Sequence, residues 1–216
     1  MFRLCVPVGL VASVLLFTAP ARAIVTGTQD TFQDSTVMDW SGGTTISNSP
    51  GGPAGDSDLF LLVASNGGAA GPGSKLAAHN ADSRWAGDYI AAGVTAIEAD
   101  MINVGDTSLQ MRLVLFSAGE RWTSSNFITL APGGDWQHVS FPISASDITR
   151  VLGSGSFAAD LAAVDQIMFR HDGSTPSAGG ESISGSIGID NITAVPSPAG
   201  IALLGLAGIA AARRRR

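Results

Sequence analysis

Three aromatic side chains stand beside Gly- and Ser-rich turns, where a sugar ring can reach them: Trp85, Tyr89 and Trp122. A pyranose stacks on a flat aromatic face while polar groups fix its hydroxyls. Glu98, Asp100, Arg112, His138 and Arg170 supply such groups if strand register brings them to one sheet face. A binding surface of Trp85, Tyr89, Trp122 and Arg112 is therefore the first chemical expectation. Catalytic patterns are weaker. His79, His138 and His171 lack the spacing of a zinc site, and no Gly-x-Ser-x-Gly elbow occurs; Gly153-Ser154-Gly155-Ser156 reads as loop. Glu98 and Asp100 make a glycosidase pair only at a suitable carboxyl separation, and residues two apart on a strand usually form one solvated face.

The elements that must carry these residues are short strands. In Leu109 to Phe116, Leu109, Met111, Leu113 and Leu115 share a face, with Gln110 and Arg112 opposite. Val94 to Asn103 alternates less regularly, Ile97 and Met101 against Glu98 and Asp100. Leu59–Ala64, Lys75–Ala78, Trp122–Leu130, Trp136–Ile143, Val164–His171 and Ile183–Val195 read as further strands. Ser41–Gly55, Asn66–Ser74 and Asp172–Glu181 read as loops, and Ser146–Leu152 and Phe157–Ala163 as helical turns. Tight turns at Val104-Gly105-Asp106-Thr107 and Ser117-Ala118-Gly119-Glu120 predict hairpins. Many short strands without a long amphipathic helix predict an all-β antiparallel sandwich, in which Trp40 and Trp136 are core.

Met1–Ala23 has the form of a secretory signal peptide: Arg3, an apolar Val6–Phe17, and the small-x-small site Ala21-Arg22-Ala23. Its Cys5 is the only cysteine, so the mature chain has no disulfide or thiolate. Residues 24–194 form one domain carrying Lys75, Arg84, Arg112, Arg121, Arg150 and Arg170 against 18 acidic residues, a net charge of −12. Such a surface repels nucleic acid and anionic lipid and suits cations, neutral glycans or solubility alone.

At the other end, Val195-Pro196-Ser197-Pro198 leads into an uncharged run of 14 residues, Ala199–Ala212, followed by Arg213, Arg214, Arg215 and Arg216. As a helix the run is ~21 Å long at ~1.5 Å per residue, against a hydrocarbon core of ~30 Å. It spans if the bilayer thins and the arginines snorkel, and they hold the cytoplasmic side. The order of prolines, short transmembrane helix and arginine cluster over 195–216 resembles the PEP-CTERM sorting signal, with Ser197 where that signal commonly has glutamate. The resemblance implies an exported protein of a Gram-negative bacterium, processed by an exosortase-type membrane transpeptidase and passed to the cell surface or extracellular matrix, often alongside exopolysaccharide.

The body resembles carbohydrate-binding-module jelly rolls, also described as galactose-binding-like. The matching pieces are Thr31-Phe32-Gln33-Asp34 with Trp40, Trp85-Ala86-Gly87-Asp88-Tyr89, the Trp136 strand, and Ile189-Asp190-Asn191-Ile192. In those jelly rolls a structural Ca²⁺ often ties the opening segment to the last strand. The resemblance implies Asp30, Gln33 and Asp190 as its ligands here, although an acid is usual where Gln33 stands. The expectation is a non-enzymatic surface or matrix protein, with glycan as a possible partner. The alternatives are a secreted polysaccharide-acting enzyme and an unprocessed membrane-anchored structural protein.

Overall fold

The computed structural model describes residues 24–68 and 74–196. The signal segment, Ser197, Pro198, the apolar run and Arg213–Arg216 lie outside the described residues. Among the described residues no helix is long and apolar enough to cross a membrane.

Two antiparallel sheets make a sandwich. Sheet A contains β1 (Gln29–Asp30), β3 (Thr45–Gly52), β4 (Gly55–Asn66), β6 (Val94–Asn103), β10 (Gln137–Pro142) and β13 (Ser184–Pro196). Its order is β10-β6-β13-β4-β3, with β1 on β13. Sheet B contains β2 (Ser41–Gly42), β5 (Ala77–Asn80), β7 (Leu109–Ser117), β8 (Glu120–Ser124), β9 (Ile128–Leu130), β11 (Ile148–Leu152) and β12 (Gln166–His171). Its order is β11-β8-β7-β12-β5-β2, with β9 on β7. A five-residue helix, α1 (Phe157–Leu161), joins β11 to β12 and is capped by Ser156.

The core lies between the sheets. Leu109, Met111, Leu113 and Leu115 of β7 point inward, as their alternation predicts, with Ile167 and Phe169 beside them. Leu61, Val63, Ile97, Met101, Ile187 and Ile189 face them from sheet A. Each such side chain contributes about 1.5–3 kcal/mol by leaving water. Phe169 ties the layers together, its ring 5.7 Å from Trp40 and 5.5 Å from Phe141.

The strand expectations fail mainly at sheet margins. Ser41–Gly55 is not loop: it holds β2 and β3, and Ser146–Leu152 holds β11 rather than a helical turn. β2, β3 and β11 are edge strands, where one side of the backbone has no ladder to satisfy. Serine-rich sequence and Pro50 are tolerated there. Trp122–Leu130 is two strands, β8 and β9, separated by Ser125–Phe127. Val195 and Pro196 belong to the closing strand, opposite Ala96 and Val94. Pro196 is its last residue, a position where the missing N–H interrupts no later pairing.

Candidate functional site

Directly opposed residues of antiparallel strands share a face, so register alone composes the outer surface of sheet B. One row runs Ser41, His79, Met168, Val114, Thr123; another pairs Ala77, Arg170 and Arg112; a third pairs Gln166, Phe116 and Arg121. The connection between β12 and β13 folds across this surface and is tied down by cations. Arg112 donates from Nε to Asp172 O (2.8 Å), from Nη1 to Ser124 O and Ser125 O (2.7 and 2.8 Å), and from Nη2 to Ser174 O (2.7 Å). Arg170 donates to Ala178 O (3.0 Å) and Ser177 O and pairs with the buried Asp172 carboxylate at 3.0 Å. Arg121 reaches Ala178 O at 2.8 Å, and Lys75 donates to Gly179 O.

Between this strap and the β2–β3 corner lies a cleft of about 340 Å³. Its floor is Ala77, His79, Phe116, Gln166 and Met168; Gly42 and Gly43 form one wall, Ala178 and Gly179 the other. Lys75, Arg121 and Arg170 complete the lining, with no carboxylate among the described residues that line it. The glycine wall is a steric necessity: both residues have positive φ, and a Cβ on Gly42 would overlap the Ala77 carbonyl. His79 is hydrogen-bonded to Ser41 Oγ at 2.9 Å, and burial lowers its pKa, favouring the neutral ring. The Arg121 guanidinium lies 5.0 Å from the centre of the Phe116 ring, a cation–π contact that holds it beside the ring.

The outer face of sheet A is chemically opposite. His138 Nδ1 lies 3.0 Å from Asp100 and Nε2 3.5 Å from Glu98. The Asp100 hydrogen bond and the two negative charges raise the His138 pKa. Asn191 donates to Asp100 at 2.8 Å. Asp190, opposite Asp100 in the ladder, is 1% exposed, and among the described residues neither of its side-chain oxygens accepts a well-formed hydrogen bond. Burial first, then Asp58 and Asp100, push its pKa up to about 7, and the Asn191 N–H offsets only part of this.

The predicted aromatic surface is not there. Trp85 and Tyr89 are fully buried, with Tyr89 Oη donating to Trp85 O at 2.8 Å. Trp122 is buried, its indole donating to Asp160 at 2.9 Å and its ring edge-on to Phe157 of α1. The glycine beside these residues marks close backbone packing rather than an open loop: Gly87 bridges to Val164. Arg112 faces outward as its alternation predicts, but its donors are spent on carbonyls. Trp136, expected in the core, is half-exposed on the outer face of sheet A, packed edge-on to Phe60 with centroids 5.2 Å apart.

Asp30, Gln33 and Asp190 do not converge as a cation site. Asp30 faces the interior, where Oδ2 accepts the indole N–H of Trp40 and of Trp85, each at 2.8 Å, and Arg84 lies 3.4 Å from Oδ1. Asp190 is on the other side of the sheet, because Asn191, at φ 50°, forms a bulge that resets the alternation before Ile192, the partner of Asp30. Gln33 presents its amide nitrogen to Thr31 O, Asp58 Oδ1 and Leu59 O at 2.8, 2.7 and 3.0 Å. A hard cation needs oxygens there. No group of three or more His, Cys, Asp or Glu side chains among the described residues is placed to hold a metal ion.

The residues that line the cleft come from β2, β5, β7, β8, β12 and three connections, so no local motif announces them. Arg170 alone had been expected on a polar face.

No protein-family model and no curated protein matches the chain. Solved structures do. A family 11 carbohydrate-binding module from Clostridium thermocellum, in complex with a β-1,3-1,4-mixed-linked tetrasaccharide, matches at TM-score 0.51 and 18% identity over 80% of this chain and 98% of the module. An exo-β-agarase matches at TM-score 0.56 and 18% identity over 80% of this chain but 25% of the agarase. A second agarase matches at TM-score 0.51 and 14% identity, again over 80% of this chain and 24% of the enzyme. The chain thus spans about a quarter of the agarases and nearly all of the module. The shared feature is the fold, a jelly-roll β-sandwich of the kind found in carbohydrate-binding modules.

Proposed function

We propose that this protein is a non-catalytic glycan-binding protein, exported by its amino-terminal segment and delivered by its carboxy-terminal segment to the cell surface or extracellular matrix. The observation that carries the binding role is the cleft on sheet B, a concave site about 340 Å³ in volume where Lys75, His79, Arg121 and Gln166 stand beside the apolar Ala77, Phe116 and Met168. These side chains offer several N–H donors to hydroxyl or acidic oxygens, and Met168 and Phe116 give a sugar ring an apolar surface. A binding role rather than an enzymatic one is supported by coverage, since the chain corresponds to nearly the whole of a binding module and to a minor part of the agarases.

The delivery half of the proposal rests on sequence: the proline pair, short apolar run and terminal arginines of 195–216, which resemble a sorting signal read by an exosortase. An exopolysaccharide of the same cell surface is then the natural glycan.

Affinity electrophoresis of the purified protein through gels containing soluble polysaccharides tests the binding role. Retardation by at least one of them, reduced by filling the cleft with Gly179→Trp, is the expected result; uniform mobility across the panel overturns it. Intact mass by cell fraction tests delivery. A surface or medium form ending near Val195–Pro198 is expected, and a form retaining Arg216 in the inner membrane contradicts processing.

A further inference from the structure

Resting on the glycan-binding reading of the cleft, we propose that its ligand is an anionic glycan, one bearing carboxylate or sulfate groups, and that Lys75 and Arg121 recognise the charge. The body carries six basic residues among 18 acidic ones, yet three of the six line this cleft and no acid does. The rest of the basic set is committed elsewhere. Arg84 pairs with Asp30, Asp39 and Asp82; Arg150 caps Gly155 O; Arg112 is spent on four carbonyls. Arg170 is buried against Asp172.

Lys75 and Arg121 are the cleft's own uncommitted cations. Among the described residues neither forms an ion pair, as is also true of Arg150 outside the cleft, and each makes one hydrogen bond to a backbone carbonyl of the strap. A carbonyl satisfies a donor without cancelling the charge, so two positive charges remain at the cleft mouth with N–H groups to spare. Low-dielectric walls of Gly42, Gly43, Phe116 and Met168 concentrate their field. The Phe116 ring, 5.0 Å from the Arg121 guanidinium carbon, and the bond to Ala178 O hold that group at the cleft, and its remaining N–H groups suit the paired hydrogen bonds that a carboxylate or sulfate accepts. Neutral sugar recognition normally leans on an exposed aromatic platform; Trp85, Tyr89 and Trp122 are buried, and the half-exposed Trp136 lies on the other sheet, away from this cleft. The acidity of the whole chain therefore misrepresents the site: the remainder of the surface repels polyanions, and this cleft is where one is accepted.

Isothermal titration of the purified full-length protein against sodium polygalacturonate, dextran sulfate, mixed-linkage β-glucan and galactomannan decides it. Expected is a preference of at least about tenfold for an acidic polymer over both neutral ones. Arg121→Gln and Lys75→Gln should each weaken it by about tenfold, while the loss of one strap hydrogen bond lowers the melting temperature by no more than ~4 °C. Arg121→Lys should recover part of the loss, and raising NaCl from about 50 to about 500 mM should weaken binding progressively. Equal or tighter binding of a neutral glycan, insensitive to both substitutions, overturns the anionic specificity and leaves the glycan-binding reading standing. Binding of dextran sulfate alone, with neither substitution having an effect, is ion exchange and overturns it as well. Heat with none of the four polymers counts against the glycan-binding reading itself and removes this inference with it.

Discussion

On the outer face of sheet B, Arg112 and Arg170 are as deeply buried as Asp190 on the outer face of sheet A. The two faces dispose of that charge in different ways. Arg112 finds four carbonyls, and Arg170 finds two more and a carboxylate. Among the described residues Asp190 finds no well-formed hydrogen bond. Donors and acceptors are not symmetric on a sheet surface. A guanidinium has five N–H groups to distribute, and loop carbonyls with spare lone pairs are plentiful. A carboxylate only accepts, and most backbone N–H groups in its reach are already spent in the ladder. A strap of loop can therefore solvate a buried arginine that keeps its charge, whereas a buried aspartate among other aspartates responds by holding its proton.

The largest effect that should separate the faces comes from Arg112→Met. It leaves four carbonyls, two of them in buried bonds, without their donor, and each buried group left unsatisfied costs about 1–3 kcal/mol. At ~2–4 °C per kcal/mol for a domain of this size, a fall of about 10 °C in calorimetric Tm is expected. A fall under about 2 °C would show that water takes over the arginine's bonds and that the strap does not depend on it.

Asp190→Asn should act in the other direction. A carboxyl whose folded pKa is raised to about 7 binds its proton more tightly than in the unfolded chain, where its value is near 3.8. Its contribution to stability is complete below about pH 4 and is lost as pH rises through about 7. The variant should melt several degrees above the parent at pH 8 and close to it at pH 4.5. A variant less stable than the parent at pH 8 would mean that the Asp190 charge is compensated after all.

His138→Gln should be the smallest. His138 is 64% exposed, so solvent screens its bonds to Asp100 and Glu98. Its raised pKa gives stability that is full below its ordinary value of 6.5 and lost as pH rises through the folded value. A drop of no more than ~2 °C at pH 5.5 and none at pH 9 is expected from paired melts. Equal drops at both would make its role steric.

Much of the sandwich was legible because buried strands carry their period in their residues. β7 is the clear case: Leu109, Met111, Leu113 and Leu115 reach the core as their spacing requires. Edge strands bury less, so β3 with its Thr, Ser and Pro50, and β11 with its exposed Thr149 and Arg150, gave no such signal. The site was less legible still. That Arg112 faces outward followed from alternation, but its four acceptors lie up to 62 residues away in sequence. Trp85 beside Gly87 has the look of an exposed turn until Asp30 is seen to bind its indole across 55 residues. Cross-strand register, which brings His79 beside Met168 and Phe116 beside Arg121, is a tertiary quantity. The bulge at Asn191 defeats simple alternation as well, separating Asp190 from Asp30 where counting by twos along β13 would place them on one side.

β13 also has a mechanical meaning. It is an interior strand of sheet A, laddered to β6 and β4 and joined by β1, and past the bulge at Asn191 it continues to Pro196. Tension on the chain beyond Pro196 would enter the domain along that strand, with hydrogen bonds on both flanks set across the line of pull. Such bonds share a force and yield together, unlike an edge strand unzipped from one end. A domain towed or held by its carboxy terminus is thus gripped through the middle of its sheet, and the cleft on the opposite sheet stays out of the path of the force.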